Sequence, residues 1–301
     1  MKVILYAKNI QEYQEKLKDF NFSYESNYEN LKKTIKEYDG LIAFGLKDDI
    51  DLSNLKWIQS LGAGVDWAVN NKTINKDVIL TRVTTGLSQL LFEYTLARIL
   101  SYYQNLSTHY KNQKEHIWDR NLSVSVVGKK VLIVGTGQIG SYIGKELNKL
   151  KMEVYGINST GYDLEGFKKC YTFDNLETSK KYDIVVNVLP STSKTINIFN
   201  KELFEKIKMD VFVNVGRGTA VVEEDLAEQL KDEKIKKAFL DVFQTEPLKE
   251  TSKLWDTPNL VISPHVAAFM DAGNLSDVIT TNYQKIIKGE EIEKVNLKKG
   301  Y

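Results

Sequence analysis

The sequence predicts an α/β protein made of one doubly wound parallel sheet and a second, smaller α/β domain. Three observations predict this class. The chain has 301 residues, more than a single hydrophobic core usually holds. Short continuous apolar runs alternate with segments of helical periodicity, as they do in parallel sheets covered by helices on both faces. One of the apolar runs leads directly into a glycine-rich turn and a helix, at residues 135–140.

The elements of the first domain follow from periodicity. The sequence predicts strands at residues 2–7, 40–45, 57–62 and 78–83. Helical character is found at residues 11–20 and 28–38. Apolar residues then recur at helical spacing over residues 87–111, which predicts one long helix that leads to the next domain.

The second domain starts at Lys129. Its predicted strands lie at residues 130–134, 153–157, 169–173, 183–189, 211–215, 237–242 and 259–263. Its predicted helices lie at residues 138–150, 201–208 and 223–231. The tail after Pro264 is expected to be helical to about Gly289.

The composition excludes several classes of partner. Lys and Arg total 41 against 40 for Asp and Glu, so charge gives no reason to expect nucleic acid or an anionic membrane. A single cysteine, Cys170, allows no disulfide within the chain. The sequence has neither a signal-peptide pattern nor an apolar stretch of membrane-spanning length. We therefore expect a cytoplasmic protein.

The glycine-rich turn predicts a dinucleotide site. Gly135 permits a tight turn, Gly137 lets the backbone approach a pyrophosphate, and Gly140 lets the helix pack closely on the strand. Gln138 and Ile139 complete the turn and open the helix, whose N–H groups would face the phosphates. The alternative is a glycine-rich turn that binds nothing.

The end of the second strand bears on the choice of cofactor. A carboxylate at this point, about 20 residues past the glycines, would bind the adenosine ribose hydroxyls. This chain has Asn158 there, followed by Ser159 and Thr160. These three side chains can donate hydrogen bonds to a 2′-phosphate. We therefore place NADP ahead of NAD, and NAD held through backbone contacts stays open.

Three polar residues follow late strands of the predicted sheet: Arg217, Glu246 and His265. Ligands of open α/β sheets bind beyond the carboxyl ends of the strands. A histidine can exchange a proton near neutral pH, and a nearby carboxylate favours its charged form. A guanidinium can bind a carboxylate through two hydrogen bonds. The set therefore predicts reduction of a 2-oxo acid, with His265 as acid/base, Glu246 as its partner and Arg217 on the substrate.

Together these motifs resemble the D-2-hydroxyacid dehydrogenase family. The similar segments span nearly the whole chain and lie at residues 61–66, 135–140, 188–195, 214–218, 241–248, 263–265 and 289–301. The resemblance implies a Rossmann-type cofactor domain at residues 96–269. It also implies a flavodoxin-like substrate domain that combines residues 1–95 and 270–301, and a homodimer joined through the cofactor domain.

The resemblance also implies the reaction and the roles of further residues. The reaction transfers a hydride between NAD(P)H and a small 2-oxo acid and gives a D-2-hydroxy acid. Asp241 would hold the nicotinamide carboxamide. Backbone amides of Ala63, Gly64 and Val65 would hold the substrate carboxylate together with Arg217 and His265. The residues that would line the cofactor site are Leu189, Pro190, Thr195 and Val215.

Some readings stay open at this point. A nicotinamide-sensing binding protein on the same fold is the main alternative function. A relative acting on formate is disfavoured, because such enzymes carry Gln where Glu246 stands. Phe92 replaces a smaller residue of the family and is expected to pack. Residues 44–47 are expected to help set substrate size. No metal site is expected, because His109 and His116 lack further ligands at suitable spacing.

Overall fold

The structure is a computed structural model that describes residues 1–120 and 123–298. The chain forms two compact units: one is Met1–Thr85 with the chain from Met270 onward, and the other is Gly86–Phe269. The sequence prediction drew the first boundary at 95/96. The units divide ten residues earlier because the helix Leu87–Tyr103 packs as a whole on the helix Gln138–Lys149 of the second unit. The family-like chain end at residues 299–301 lies outside the described residues.

The first unit is built on a five-stranded parallel sheet with the order β2-β1-β3-β4-β5. This is the flavodoxin-like order, and it confirms the fold class predicted for the smaller domain. The strands are β1 (Val3–Tyr6), β2 (Phe22–Glu25), β3 (Gly40–Ala43), β4 (Trp57–Ser60) and β5 (Ile79–Thr81). The helices are α1 (Ile10–Lys16), α2 (Tyr28–Thr34) with a 3-10 turn at Ile35–Glu37, α3 (Asp66–Val69) and α9 (Ala272–Lys288).

The second unit is built on a seven-stranded sheet with the order β12-β11-β10-β9-β6-β7-β8, parallel throughout. Its strands are β6 (Lys130–Val134), β7 (Glu153–Ile157), β8 (Lys169–Tyr171), β9 (Ile184–Asn187), β10 (Val211–Asn214), β11 (Lys237–Leu240) and β12 (Leu260–Ile262). Its helices are α4 (Leu87–Tyr103), α5 (Leu106–Glu115), α6 (Gln138–Lys149), α7 (Lys201–Lys206) and α8 (Glu223–Lys231), with 3-10 turns at Gly218–Ala220 and Lys253–Asp256. The order reverses between β6 and β9, the switch point at which doubly wound sheets bind dinucleotides.

Both faces of the larger sheet are buried. Successive residues of a strand point to opposite faces, so Leu132 and Phe212 join one hydrophobic cluster, whereas Ile133 and Val213 join the other. All four side chains are fully buried. The two packed layers fix the strands firmly, and the residues that follow the strand ends start from well-defined positions.

The structure corrects three elements of the prediction. The expected single helix over 87–111 is two helices, because Asn105 adopts a left-handed conformation with φ 51°, which Asn tolerates better than most residues. Strand β2 was not predicted. The C-terminal helix begins at Ala272, where the Asp271 side chain accepts the N–H of Asn274 at 2.8 Å, and not directly after Pro264.

Across residues 1–120 and 123–298, helices with both the length and the apolar character needed to cross a bilayer are absent.

Candidate active site

The predicted site residues of the second unit lie just beyond the carboxyl ends of its strands. Gly135 follows β6, Leu189 follows β9, Arg217 follows β10, Asp241 follows β11 and His265 follows β12. Because the sheet is parallel throughout, all five strands end at the same edge. The fold therefore gathers these segments at the place where α/β sheets bind ligands.

The glycine-rich turn has the geometry of a phosphate-binding loop. Gly135 has φ 97°, a conformation that favours glycine. A Cβ at Gly140 would lie 1.9 Å from the carbonyl oxygen of Gly135, so only glycine fits there. A Cβ at Gly137 would meet open space among the described residues, and Gly137 caps the 12-residue helix α6 without a side chain. These features fit a dinucleotide pyrophosphate at the start of α6.

Asn158 makes several hydrogen bonds within the protein. Its Nδ2 donates to Thr136 Oγ1 and to the carbonyl of Tyr162, both at 3.1 Å. Its Oδ1 accepts the N–H groups of Thr160 and Gly161 at 3.1 and 2.6 Å. Both amide hydrogens are therefore engaged within the protein, where Asn158 shapes the loop, and its contact with the cofactor stays a prediction. Ser159 and Thr160 are exposed in this loop.

His265 and Glu246 form a hydrogen-bonded pair. His265 Nδ1 lies 2.7 Å from Glu246 Oε2, and Glu246 Oε1 accepts the N–H of Phe243 at 2.9 Å. The two side chains are 49% and 33% exposed. An ionised carboxylate only accepts hydrogen bonds, so Nδ1 carries the hydrogen between them. Nε2 is then the ring nitrogen that can exchange a proton with a ligand.

The surroundings of Glu246 keep it ionised. Burial by itself would raise its pKa. The hydrogen bonds from His265 and Phe243, with the charges of His265 and Arg217, outweigh burial and hold the pKa of Glu246 below its ordinary value of 4.5. The charge of Arg217 therefore acts on this carboxylate, which brings all three predicted catalytic residues into one electrostatic neighbourhood.

Close backbone packing joins the Arg217 segment to the Glu246 turn. A Cβ at Gly218 would lie 1.9 Å from the carbonyl carbon of Phe243, so glycine next to Arg217 lets the two segments touch. Two buried asparagines hold the backbone of Arg217. Asn187 Nδ2 donates to Asn214 Oδ1 at 2.9 Å, and Asn214 Nδ2 donates to the carbonyl of Arg217 at 3.3 Å.

Asp241 anchors the turn that carries His265, and its contact with a nicotinamide carboxamide stays a prediction. Its side chain is 1% exposed. Oδ1 accepts from Ser263 Oγ at 2.6 Å and from the N–H of Val266 at 3.0 Å, and Oδ2 accepts the N–H of Ala267 at 2.9 Å. The N–H of His265 donates to the Asp241 carbonyl at 2.8 Å. These bonds hold His265 at φ 54°, a left-handed conformation that is uncommon outside glycine.

Comparison with known proteins places this geometry in a family. The profile described as "D-isomer specific 2-hydroxyacid dehydrogenase, NAD binding domain" matches residues 96–267. The chain belongs to the D-isomer specific 2-hydroxyacid dehydrogenases.

Solved structures similar to this dehydrogenase cover nearly its whole length. A D-isomer specific 2-hydroxyacid dehydrogenase family protein from Aeromonas salmonicida is 30% identical with a TM-score of 0.86, over 98% of this chain and 99% of that one. An NADPH-dependent glyoxylate/hydroxypyruvate reductase from Sinorhizobium meliloti, in complex with NADP and sulfate, is 26% identical with a TM-score of 0.88 over 100% of both chains. A family member from Xanthobacter autotrophicus, in complex with NADPH and MES, is 26% identical with a TM-score of 0.84, over 100% and 99%.

Family membership confirms the predicted enzyme class. The dehydrogenase is an oxidoreductase that acts on a CH–OH group with a nicotinamide dinucleotide. The phosphate loop described above has the open Gly137 and the tightly packed Gly140 that such a cofactor needs. The predicted Rossmann-type fold of the second unit is confirmed as well.

The remaining predicted cofactor residues of the dehydrogenase differ in how they are placed. Leu189 lies against the glycine turns, since a Cβ at Gly135 or Gly216 would come within 3.2 or 2.7 Å of its atoms. Thr195 Oγ1 donates to the carbonyl of Pro190 at 2.6 Å and folds that segment. The side chain of Val215 is buried in the core, so only its backbone can contact a ligand. Ile139 also packs against that core, and Gln138 is exposed.

The first unit of the dehydrogenase contains the predicted carboxylate-binding loop, with Ala63, Gly64 and Val65 between β4 and α3. Ser60 Oγ donates to the carbonyl of Gly64 at 2.9 Å, and Arg82 donates to the carbonyl of Ala63 at 3.3 Å. The loop is thus fixed through its carbonyl groups.

Sequence reasoning gave no role to five residues that support the dehydrogenase site, although two of them lie in the family-like segments 214–218 and 263–265: Asn187, Asn214, Ser263, Tyr94 and Ser60. Four of them offer one signal, a polar side chain at or just past the end of an apolar strand. Tyr94 on α4 pairs with Ser263 Oγ at 2.6 Å, and its sequence position gave no such signal. Phe92 packs against the core and Tyr142, as expected. Among the described residues, no group of three or more His, Cys, Asp or Glu side chains could hold a metal ion.

Proposed function

We propose that this dehydrogenase reduces a small 2-oxo acid to the D-2-hydroxy acid, or catalyses the reverse oxidation, with His265 as the acid/base. The observation that carries the proposal is the His265–Glu246 hydrogen bond of 2.7 Å, with Glu246 fixed in turn by Phe243. This arrangement leaves His265 Nε2 to exchange the proton that carbonyl reduction requires.

The proton chemistry follows from the charges. Reduction builds negative charge on the carbonyl oxygen of the substrate, and His265 Nε2–H donates the proton that neutralises it. The Glu246 carboxylate favours the charged imidazolium beforehand and keeps the ring oriented through Nδ1. In oxidation, neutral His265 accepts the hydroxyl proton at Nε2. The bound nicotinamide supplies or accepts the hydride.

Arg217 binds the substrate and polarises its carbonyl oxygen. A guanidinium is always charged and offers several fixed N–H donors. The buried asparagines 187 and 214 hold the backbone of Arg217 in place. In the first unit, the backbone amides of Ala63, Gly64 and Val65 bind the substrate carboxylate.

NADP is the preferred cofactor. The position at the end of β7 carries the neutral Asn158, so no carboxylate there repels a 2′-phosphate. The amide hydrogens of Asn158 and the hydroxyl hydrogen of Thr160 are engaged within the loop, so the exposed Ser159 supplies the hydrogen bond to the 2′-phosphate. Two of the similar structures were solved with NADP or NADPH. Residues 135–140 hold the pyrophosphate.

The dehydrogenase forms a homodimer through residues 106–120 and 123–127 of its second unit. All ten residues of α5 are at least partly exposed. Large apolar side chains follow it at high exposure: Trp118 is 96% exposed, Val127 58% and Ile117 49%. Such a run of exposed apolar residues is typical of an interaction surface. Light scattering tests this: we expect a dimer that Trp118→Ala weakens, and a wild-type monomer would contradict the assignment.

The first experiment is an absorbance assay with a panel of 2-oxo acids, from glyoxylate and hydroxypyruvate to bulkier acids, run with NADPH and NADH. Turnover with NADPH above NADH supports both the reaction and the cofactor preference. Cofactor binding without turnover of any 2-oxo acid would contradict the proposal and favour a nicotinamide-sensing protein.

A His265→Gln variant tests the acid/base assignment. Gln cannot exchange the proton, and general acid–base catalysis contributes about 100-fold to 10,000-fold. We therefore expect kcat to fall by at least about 100-fold while the dissociation constant of NADPH stays unchanged. Full activity of His265→Gln would refute the mechanism.

A further inference from the structure

The loop at residues 61–65 is held through three successive carbonyl groups, while the N–H groups of Leu61 and Gly62 donate to the carbonyl of Ala43 at 2.9 Å and to Ser60 Oγ at 3.3 Å. The carbonyl of Gly62 accepts the N–H of Val83 at 3.3 Å. The carbonyl of Ala63 accepts from Arg82 Nη1 at 3.3 Å, and that of Gly64 accepts from Ser60 Oγ at 2.9 Å. All of these donors lie in the first unit, at or just past the ends of β4 and β5.

The direction of the following amides is then determined. In a planar trans peptide the carbonyl and the next N–H point in opposite directions. Three successive carbonyls are tied to the unit, so the N–H groups of Ala63, Gly64 and Val65 each point away from the donor that holds the preceding carbonyl. A run of outward N–H groups is an anion-binding concavity.

We propose that Ser60 and Arg82 are positioning residues of the substrate-carboxylate site, which they create by pulling two carbonyls inward so that the amides of Gly64 and Val65 face the ligand. The inference rests on the proposed function, in which this loop binds the carboxylate of a 2-oxo acid. Arg82 also places a positive charge beside the loop, which adds to its attraction for an anion.

Ser60 is itself fixed by a buried polar network. Gln59 Nε2 donates to the carbonyl of Ser60 at 2.7 Å, and Gln59 Oε1 accepts from Thr81 Oγ1 and Asn282 Nδ2, both at 2.7 Å. Gln59, Ser60 and Thr81 are at most 1% exposed. A satisfied buried network has one favoured arrangement, so it fixes the backbone of Ser60, from which the hydroxyl donates to the carbonyl of Gly64.

The test uses Ser60→Ala and Arg82→Met in the full-length protein, with Thr73→Val as the matched control. Thr73 Oγ1 also accepts a backbone N–H within the first unit, that of Leu52 at 2.8 Å, but it does not hold the loop. Two quantities are measured: KM for the 2-oxo acid, and the dissociation constant of oxalate by calorimetry. Arg82→Lys separates the effect of charge from that of the guanidinium geometry.

We expect Ser60→Ala and Arg82→Met each to raise KM and the oxalate dissociation constant by about tenfold, because each releases one hydrogen bond that orients a binding amide. The change in kcat is expected to be smaller, and Thr73→Val and the NADPH affinity should show no such change. Because both residues hold one loop, the double variant should lose less than the product of the two effects. Thermal unfolding shows whether each variant folds. If Ser60→Ala does not fold, the values measured for Arg82→Met decide the test.

The possible failures are distinguishable. Unchanged KM and oxalate affinity in both variants, in a wild type that reduces 2-oxo acids, would overturn the positioning role and leave the proposed function intact. A wild type that reduces no 2-oxo acid, but binds oxalate in a manner that Ser60→Ala weakens, would overturn the proposed function and leave the anion site standing.

Discussion

Replacing Glu246 by Gln should slow the reaction. Glu246 uses one carboxylate oxygen for His265 Nδ1 and the other for the N–H of Phe243. Gln has a similar shape but no charge and only one acceptor oxygen. The variant therefore loses the negative charge beside His265 and one of the two hydrogen bonds.

The size of the loss follows from the geometry of the pair. Two unit charges about 4 Å apart interact by about 1 kcal/mol in water and about 4 kcal/mol at an effective dielectric constant of about 20. The side chains of His265 and Glu246 are 49% and 33% exposed, so solvent screening places the pair near the lower value. About 1.4 kcal/mol corresponds to about a tenfold change in rate.

The assay is kcat/KM for oxidation of the D-2-hydroxy acid with NADP, measured at one pH and at constant ionic strength. His265 gains positive charge as it accepts the hydroxyl proton, and the Glu246 carboxylate stabilises that charge, so kcat/KM should fall about fivefold to tenfold in Glu246→Gln. Glu223→Gln is the matched control. Glu223 also accepts a backbone N–H next to this turn, that of Gln244 at 2.7 Å. An unchanged kcat/KM in Glu246→Gln, or an equal fall in Glu223→Gln, would refute the reasoning.

Four further predictions follow. Gly140→Ala places a Cβ 1.9 Å from the carbonyl oxygen of Gly135 and so displaces the phosphate loop. Because overpacking costs about 1–3 kcal/mol, the affinity for NADPH, measured by fluorescence titration, should fall about tenfold. Asp241→Asn turns an N–H donor toward a buried donor, and chemical denaturation should show a loss of about 1–3 kcal/mol. Phe44 is 55% exposed beside Gly62, and Phe44→Ala should raise kcat/KM for bulky 2-oxo acids about tenfold relative to glyoxylate. The pKa of Glu246 is lowered from its ordinary value of 4.5, so its ionised carboxylate stabilises the folded protein above that pH, and this stabilisation is lost as the pH falls below it. The free energy of unfolding of Glu246→Gln, measured by acid unfolding, should not show this pH-dependent loss.

Much of the fold could be predicted from the sequence, because buried parallel strands are continuous apolar runs. Strands β6 and β7 and helix α8 have the predicted bounds, and most other strands differ by one to three residues at an end. Helix α6 starts at Gln138, as the glycine motif indicates. These elements depend on the periodicity of neighbouring residues, which a single sequence is enough to show.

The misplaced elements depend on single backbone conformations. Helix α4 ends because Asn105 turns left-handed, and neither proline nor glycine marks that position. Strand β2 is an edge strand with one buried and three partly buried residues, FSYE, so it lacks the apolar run of the inner strands. Asn158 was expected to contact the cofactor because it directly follows β7, about 20 residues past the glycine-rich turn. Its five hydrogen bonds join it to residues 160–162 of its own loop and to Thr136 of the glycine-rich turn, an arrangement that only the structure defines.

The His265 turn shows why the chemistry of a site is easier to predict than its support. Histidine after a late strand suggests proton transfer from residue type alone. The structure adds that the turn is secured by Asp241, some 25 residues earlier in the chain, whose carboxylate gathers three donors from residues 263–267. Ser263 donates its only hydroxyl hydrogen to Asp241, so Tyr94 must donate in the 2.6 Å bond between their hydroxyls. The position of His265 therefore depends on α4 and β11 as well as on its own strand, through contacts that no local sequence pattern encodes.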